Sequence, residues 1–310
     1  SAERIKMPLC LMPVLYQQSE PFKPCTDQQK PFVFEHIDNY LDLIGSIKGV
    51  DLALSLHSLR AVKAESLDAL NELLGQADMQ KIPVHIHISE QPLEIKQIEL
   101  AHGARPLEYL SSRIELDSRW NMVHATHFNS VELKIALENQ CNIVLCPITE
   151  ANLGDGVFQL NSFYDSGGRF TIGSDSNVMI DPFQELAILE YGQRLTSGQR
   201  ITVSDAKSGS CAEALVSRVQ KSAQASCGIK LGLLKKGYQA NFLSLNKNHP
   251  SLLEIDQTSL LDVIIFSAGK SCLTEVYVDG NCLVKDGKYI MRDEVFNEYK
   301  ECIKSLRSMI

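Results

Sequence analysis

The sequence predicts an α/β protein whose parallel strands curl into a barrel, followed by a small β-rich appendage. Apolar, strand-like runs recur at residues 9–16, 50–56, 82–88, 120–125, 141–146 and 169–173, and the gaps between them leave room for helices. Polar residues gather at the ends of those runs, where α/β folds place ligands. From about residue 228 the pattern changes to short strands separated by glycine turns.

The elements follow in order. The first run, LCLMPVLY (9–16), leads into QSEPFKPCTDQQKPFVFE (18–35), whose three prolines and sparse apolar positions predict a long loop on the mouth side. VDLALSL (50–56) is the second strand, and Leu67, Leu70 and Leu74 then share a helical face that stops at Gly75. IPVHIHI, WNMVHA, CNIVLC and RFTIG supply four further strands. Phe183, Leu186, Ala187 and Glu190 recur at helical spacing behind Pro182, which suits a first helical turn. In the appendage, Gly228, Gly232 and Gly237 space out short strands, and Asp279-Gly280 and Asp286-Gly287 are hairpin turns. Val295, Tyr299, Cys302 and Leu306 predict a closing amphipathic helix over 292–309. The expected organisation is a barrel over 1–227, a β portion over 228–290 and a C-terminal helix over 291–310.

The polar residues select a barrel over an open sheet. His57, Arg60, His87, Glu90, His124, His127, Thr149, Glu150 and Asp175 come from five successive units, as a ring-shaped mouth requires. An open sheet focuses its site at one switch point, usually with a glycine-rich phosphate loop, and neither GxGxxG nor GxxxxGK occurs. Six units are fewer than eight, so closure would need two strands upstream of Ser1; the alternative is an incomplete or rearranged barrel.

Composition narrows the partners. With 44% hydrophobic and 22% charged residues the chain is that of a globular protein, and its net charge of -8 gives no general attraction to nucleic acid or anionic lipid. A small-molecule substrate is the expected partner. No run approaches the roughly 18 apolar residues of a membrane span, and the start SAERIKMPLC lacks a signal-peptide layout, so a cytoplasmic location is expected. The 9 cysteines form no CxxC pair and read as reduced, mostly core thiols.

Five of the 8 histidines, His57, His85, His87, His124 and His127, lie on three consecutive strand ends. One buried strand histidine alone reads as structural; together with Glu90 they read as a metal or acid–base site, because zinc takes neutral imidazoles and carboxylates. Asp175 is expected to point into the mouth, with Ser176 or Asp181 left to cap the next helix. Glu150 and Asp155 fit either solvated loop charges or substrate contacts, and Cys146 fits a packed thiol.

VHIHISEQ (84–91), MVHATH (122–127), CPITEANLGDG (146–156), GRFTIGSDS (168–176), ILEYGQRL (188–195) and LHSLRAV (56–62) together resemble the amidohydrolase superfamily, in order, from about residue 8 to about 290. More narrowly they are similar to its branch acting on N-formimino-L-glutamate. The resemblance implies a TIM-like (β/α)8 barrel, with strands 3 to 8 present, beside a small β-sandwich. It implies one divalent metal ion, zinc, held by His87 and Asp175, with Glu90 as proton shuttle, His124 beside the metal and Asp175 also as base. His57 and Arg60 would hold the substrate's glutamate moiety, a task for which an arginine fork suits a carboxylate. The implied reaction is hydrolytic deimination to N-formyl-L-glutamate and ammonia, and a homodimer is expected.

The chain departs from the family pattern in three places. The HxH metal pair of the family's first strand has no counterpart, Asn177 stands where His often follows SDS, and Asn241 stands where the appendage usually has Asp. Two rival readings follow. One is a deaminase or chlorohydrolase of an aminated ring such as guanine, which an aromatic-rich mouth would favour. The other is a truncated chain without activity, holding little zinc alone because two ligands are missing.

Overall fold

The computed structural model describes residues 2–77, 79–176 and 179–309. It divides into two compact units, Cys10–Ile229 and a second made of Ser1–Leu9 with Lys230–Ile310. Asn177 lies outside the described residues.

The larger unit holds a 6-stranded sheet in sequence order: β1 (Val14–Leu15), β2 (Leu54–Ser58), β3 (Val84–Ile88), β4 (Trp120–His124), β5 (Asn142–Leu145) and β6 (Arg169–Ile172). Every pairing is parallel. The helices between them are α1 (Ile37–Ser46), α2 (Ala64–Leu74), α3 (Pro92–His102), α4 (Pro106–Arg113), α5 (Ser130–Glu138), α6 (Pro147–Leu153) and α7 (Leu160–Asp165). After β6 come α8 (Pro182–Ser197) and α9 (Cys211–Cys227). Leu67, Leu70 and Leu74 bury the inner face of α2, which ends at Gly75, and Pro182 opens α8 behind the N-cap Asp181. Trp120, Ile86, Met122, Ile143 and Phe170 fill the core with no exposed surface.

Two strands are shorter than their apolar runs. Only Val14–Leu15 of residues 9–16 joins the main sheet, because Pro13 lacks an N–H and restricts the residue before it. Cys10–Leu11 pairs separately with Asp51–Leu52.

Below the mouth, the barrel interior has a polar floor. His85 Nε2 donates to Ser226 O at 2.8 Å and Asn121 Nδ2 to Ala225 O at 2.9 Å, so strand side chains satisfy carbonyls that the last turn of α9 would leave open. Asn142 Nδ2 reaches Asn121 Oδ1, Thr171 Oγ1 and Ser226 Oγ at 2.9, 3.0 and 3.2 Å. His85 and His87 lie two residues apart on one strand, so floor and mouth share a strand face.

In the second unit, β7 (Phe242–Leu245), β8 (Leu273–Val278), β9 (Asn281–Lys285) and β10 (Lys288–Tyr289) form one 4-stranded antiparallel sheet. The appendage expected as a β-sandwich is thus a single layer among the described residues. Asp279 and Gly280 have φ of 48° and 75°, and Asp286 and Gly287 have 50° and 71°, the left-handed pairs that tight hairpins of type I′ require. The closing helix α10 (Arg292–Arg307) forms, yet Val295, Tyr299 and Leu306 stay 37%, 62% and 51% exposed and Cys302 is exposed as well. Its apolar stripe predicts the helix, and the stripe is exposed.

All nine cysteines are free, but only Cys141, Cys146, Cys211 and Cys272 are buried, fewer than a mostly core set. No helix of the described residues is long and apolar enough to cross a membrane.

Candidate active site

The mouth is assembled at the carboxyl ends of β2 to β6. Ser89, His124, Ala125 and Asp175 all have φ between 52° and 68° at these ends. Non-glycine residues held there cost roughly 1–3 kcal/mol each and persist where the surrounding structure over-determines them.

Three imidazoles line up across adjacent strands. The rings of His57 and His87 lie 5.6 Å apart, and those of His87 and His124 lie 5.7 Å apart at an interplanar angle of 22°. His87 Nδ1 donates to His57 O at 2.7 Å; a carbonyl only accepts, so Nδ1 carries the proton and Nε2 keeps a lone pair. Burial, with help from His87 and Arg60, pushes His57 down to about 4, so its ring is neutral near pH 7. Burial also lowers His87, against the pull of its bond to His57 O.

His124 behaves differently. Burial opposes its charge, but the bond to Glu150 and the nearby Glu90 and Asp175 outweigh it and hold its pKa above the ordinary value. Glu90 Oε1 lies 3.7 Å from Nε2 and Glu150 Oε1 lies 3.4 Å from Nδ1. Glu150, for which a solvated loop and a contact in the site stood equal, is 4% exposed and belongs to the site.

Two buried carboxyls were not anticipated. Glu94 accepts Ser89 N at 3.2 Å and Glu90 N at 3.0 Å, pinning the turn that presents Glu90; burial raises its pKa. Glu185 accepts Ile148 N at 2.9 Å, and burial pushes it up to about 7. Both are acids in a first helical turn, a position usually solvated, so sequence spacing alone does not mark them.

The remaining expected residues fall as follows. Arg60 follows β2 and keeps a buried Nε without a hydrogen-bond partner. Asp175 is exposed; its Oδ1 accepts Ser176 N at 2.5 Å, and its charge acts on both His87 and His124. Asp181 takes the cap of α8, accepting Phe183 N at 3.1 Å. Asp155 is buried and accepts Gln91 Nε2 at 3.0 Å. Cys146 is a packed thiol whose pKa is raised by burial and surrounding carboxylates.

A cavity of about 690 Å³ opens beside His57, lined by Tyr16, Phe32 and Phe34 together with Gln28 and Gln29. Tyr16 packs edge-on against the His57 ring at 4.8 Å. Among the described residues, no three or more His, Cys, Asp or Glu side chains are grouped to hold a metal ion. The donors at the mouth therefore do not fit a metal by themselves.

A model of the amidohydrolase family matches residues 9–283. The chain is similar to a formimidoylglutamate deiminase from Pseudomonas aeruginosa, 34% identical over 288 residues, covering 91% of this chain and 62% of the relative. It is also similar to a 5-methylthioadenosine/S-adenosylhomocysteine deaminase from Pyrococcus furiosus, 27% identical over 233 residues, covering 74% of this chain and 53% of the relative. The chain thus spans between 53% and 62% of the length of these two curated relatives. The crystal structure of an amidohydrolase from Brucella melitensis superposes with a TM-score of 0.87 at 33% identity, covering 98% of this chain and 68% of that one. The parallel strands, the mouth at their carboxyl ends and the family match over residues 9–283 lead to one conclusion: this chain belongs to the amidohydrolase family.

Proposed function

We propose that the protein acts in the hydrolytic deimination of N-formimino-L-glutamate, giving N-formyl-L-glutamate and ammonia. The observation that carries the reading is His124 held between Glu90 at 3.7 Å and Glu150 at 3.4 Å, next to the neutral His87 ring. The 34% identity to a protein named formimidoylglutamate deiminase supports the choice of substrate.

In this reading water attacks the formimino carbon, Asp175 takes up the water's proton, and Glu90 delivers protons to the departing nitrogen. His124, its positive charge favoured by three carboxylates, offsets the negative charge that grows on the tetrahedral centre. Arg60 grips a substrate carboxylate with its free donor, and His57 contributes a neutral hydrogen-bonding edge. The divalent ion in the proposal, zinc, would supply an activated water; His87 and Asp175 are the donors this chain would offer toward it, short of a complete set. A homodimer belongs to the same proposal.

A second reading, a deaminase of an aminated ring, is favoured by the aromatic cavity beside His57 and by the adenosine-derivative deaminase at 27% identity. The test is ammonia release from N-formimino-L-glutamate in the presence of zinc. Release supports the first reading; none, with turnover of an aminopurine, rejects it in favour of the second.

A further inference from the structure

At the end of the strands opposite the mouth, a cavity of about 440 Å³ lies among the amino ends of β3, β4 and β6 and the last turns of α9. Its lining includes four cations, Lys81, Arg119, Arg169 and Lys221, and no carboxylate. In a chain of net charge -8 such a set stands apart from its surroundings. Asn121 Nδ2 donates to Arg119 O and Ala225 O, both at 2.9 Å, and so ties two walls of the cavity together.

The four cations are not equivalent. Arg119 brings its own counter-ion, Asp117 Oδ2 at 2.6 Å, and it also donates to Leu74 O at 3.2 Å and Met79 O at 2.8 Å. Lys81, Arg169 and Lys221 have no carboxylate partner among the described residues. Arg169 donates to Gln140 O at 3.0 Å and Ser118 O at 3.3 Å, bonds that fix the guanidinium without balancing its charge, and burial lowers its pKa. The carbonyl end of α9 would oppose an anion here, but Ala225 O and Ser226 O are taken by Asn121 and His85 of the floor, and Gln224 O by Gly228 N. A second cavity, of about 660 Å³ beside Gln17 and Gln18, also carries lysines, yet Lys23 and Lys30 there are paired with Glu20 at 2.7 Å and Asp27 at 2.6 Å.

We propose that the cavity between β3, β4, β6 and α9 binds a phosphate group, either the free ion or the head of a small phosphate ester. A phosphate dianion answers the surplus charge of Lys81, Arg169 and Lys221 more fully than a carboxylate, which carries a single charge. Ammonium and guanidinium groups only donate, so they suit oxygens that only accept, and the Ser118 hydroxyl and Gln224 amide add donors on the same lining. A space of this size holds a phosphate with a small organic body. The inference is independent of the deimination reading, whose residues gather at the other end of the strands.

Calorimetric titration of the 310-residue protein with inorganic phosphate, and separately with glucose 6-phosphate, at about pH 8 and constant ionic strength tests the site. The expected result is saturable binding of one or both probes, weakened about ten-fold in Arg169→Gln and by at least as much in the double variant Lys81→Gln/Lys221→Gln. The lysine variant changes only exposed residues, so it still reads the site if Arg169→Gln fails to fold. Tighter binding of glucose 6-phosphate assigns the site to esters, and tighter binding of inorganic phosphate assigns it to the free ion. No saturable binding of either probe, or unchanged affinity in the lysine variant, would overturn the proposal.

Discussion

Glu150 Oε1 reaches both His124 Nδ1, at 3.4 Å, and Cys146 N, at 2.9 Å. One carboxylate therefore orients the imidazole and fixes the entry into α6, the arrangement by which a second layer of contacts tunes a functional histidine. Glu150→Gln keeps an acceptor for Cys146 N and removes the charge. His124 should then titrate at lower pH in an NMR titration, and ammonia release should fall by roughly 10- to 100-fold. An unchanged His124 titration would show that Glu90 and Asp175 suffice.

Glu185 gives stability a pH dependence of unusual sign. Its folded pKa, about 7, lies above the unfolded value of 4.5, so between these the folded state binds more protons. Its contribution is fully present below pH 4.5 and is lost as pH rises through 7. Glu185→Gln should raise stability at pH 8 by roughly 1–3 kcal/mol while changing little at pH 4. Urea midpoints at the two pH values read this directly.

His57 and His85 act in the opposite direction. Burial holds both at about 4, below the ordinary 6.5, so the unfolded chain takes up protons first as the solution is acidified. Their contribution is complete above pH 6.5 and disappears as pH falls toward 4. His85→Asn should flatten that acid limb in a denaturation series; an unaltered limb would assign it to other groups.

Gly168 tolerates no side chain. A Cβ there would overlap the Phe163 ring, which is wholly buried in the core. Gly168→Ala should destabilise the protein by about 1–3 kcal/mol, measured as a lower thermal midpoint.

The strands were legible because parallel strands covered on both faces read as unbroken apolar runs, as IPVHIHI and CNIVLC do. The mouth was legible for a related reason: His87, Glu90, His124 and Asp175 interrupt apolar surroundings at positions where each strand ends. Glu94 and Glu185 were not, since an acid in a first helical turn looks the same whether it faces water or a neighbouring loop's N–H. The helix α10 was legible from its stripe while the exposure of that stripe was not: periodicity reports that a helix has an apolar face, not what covers it.

The polar floor under the histidines limits how the protein is able to change. Asn121, Asn142, Thr171, Ser226 and His85 share donors and acceptors, so replacing any one by an apolar residue leaves a buried or half-buried partner unpaired. An apolar floor is reachable only by simultaneous replacement. Sequence drift at these positions should therefore come in blocks, while the loops above it vary one residue at a time.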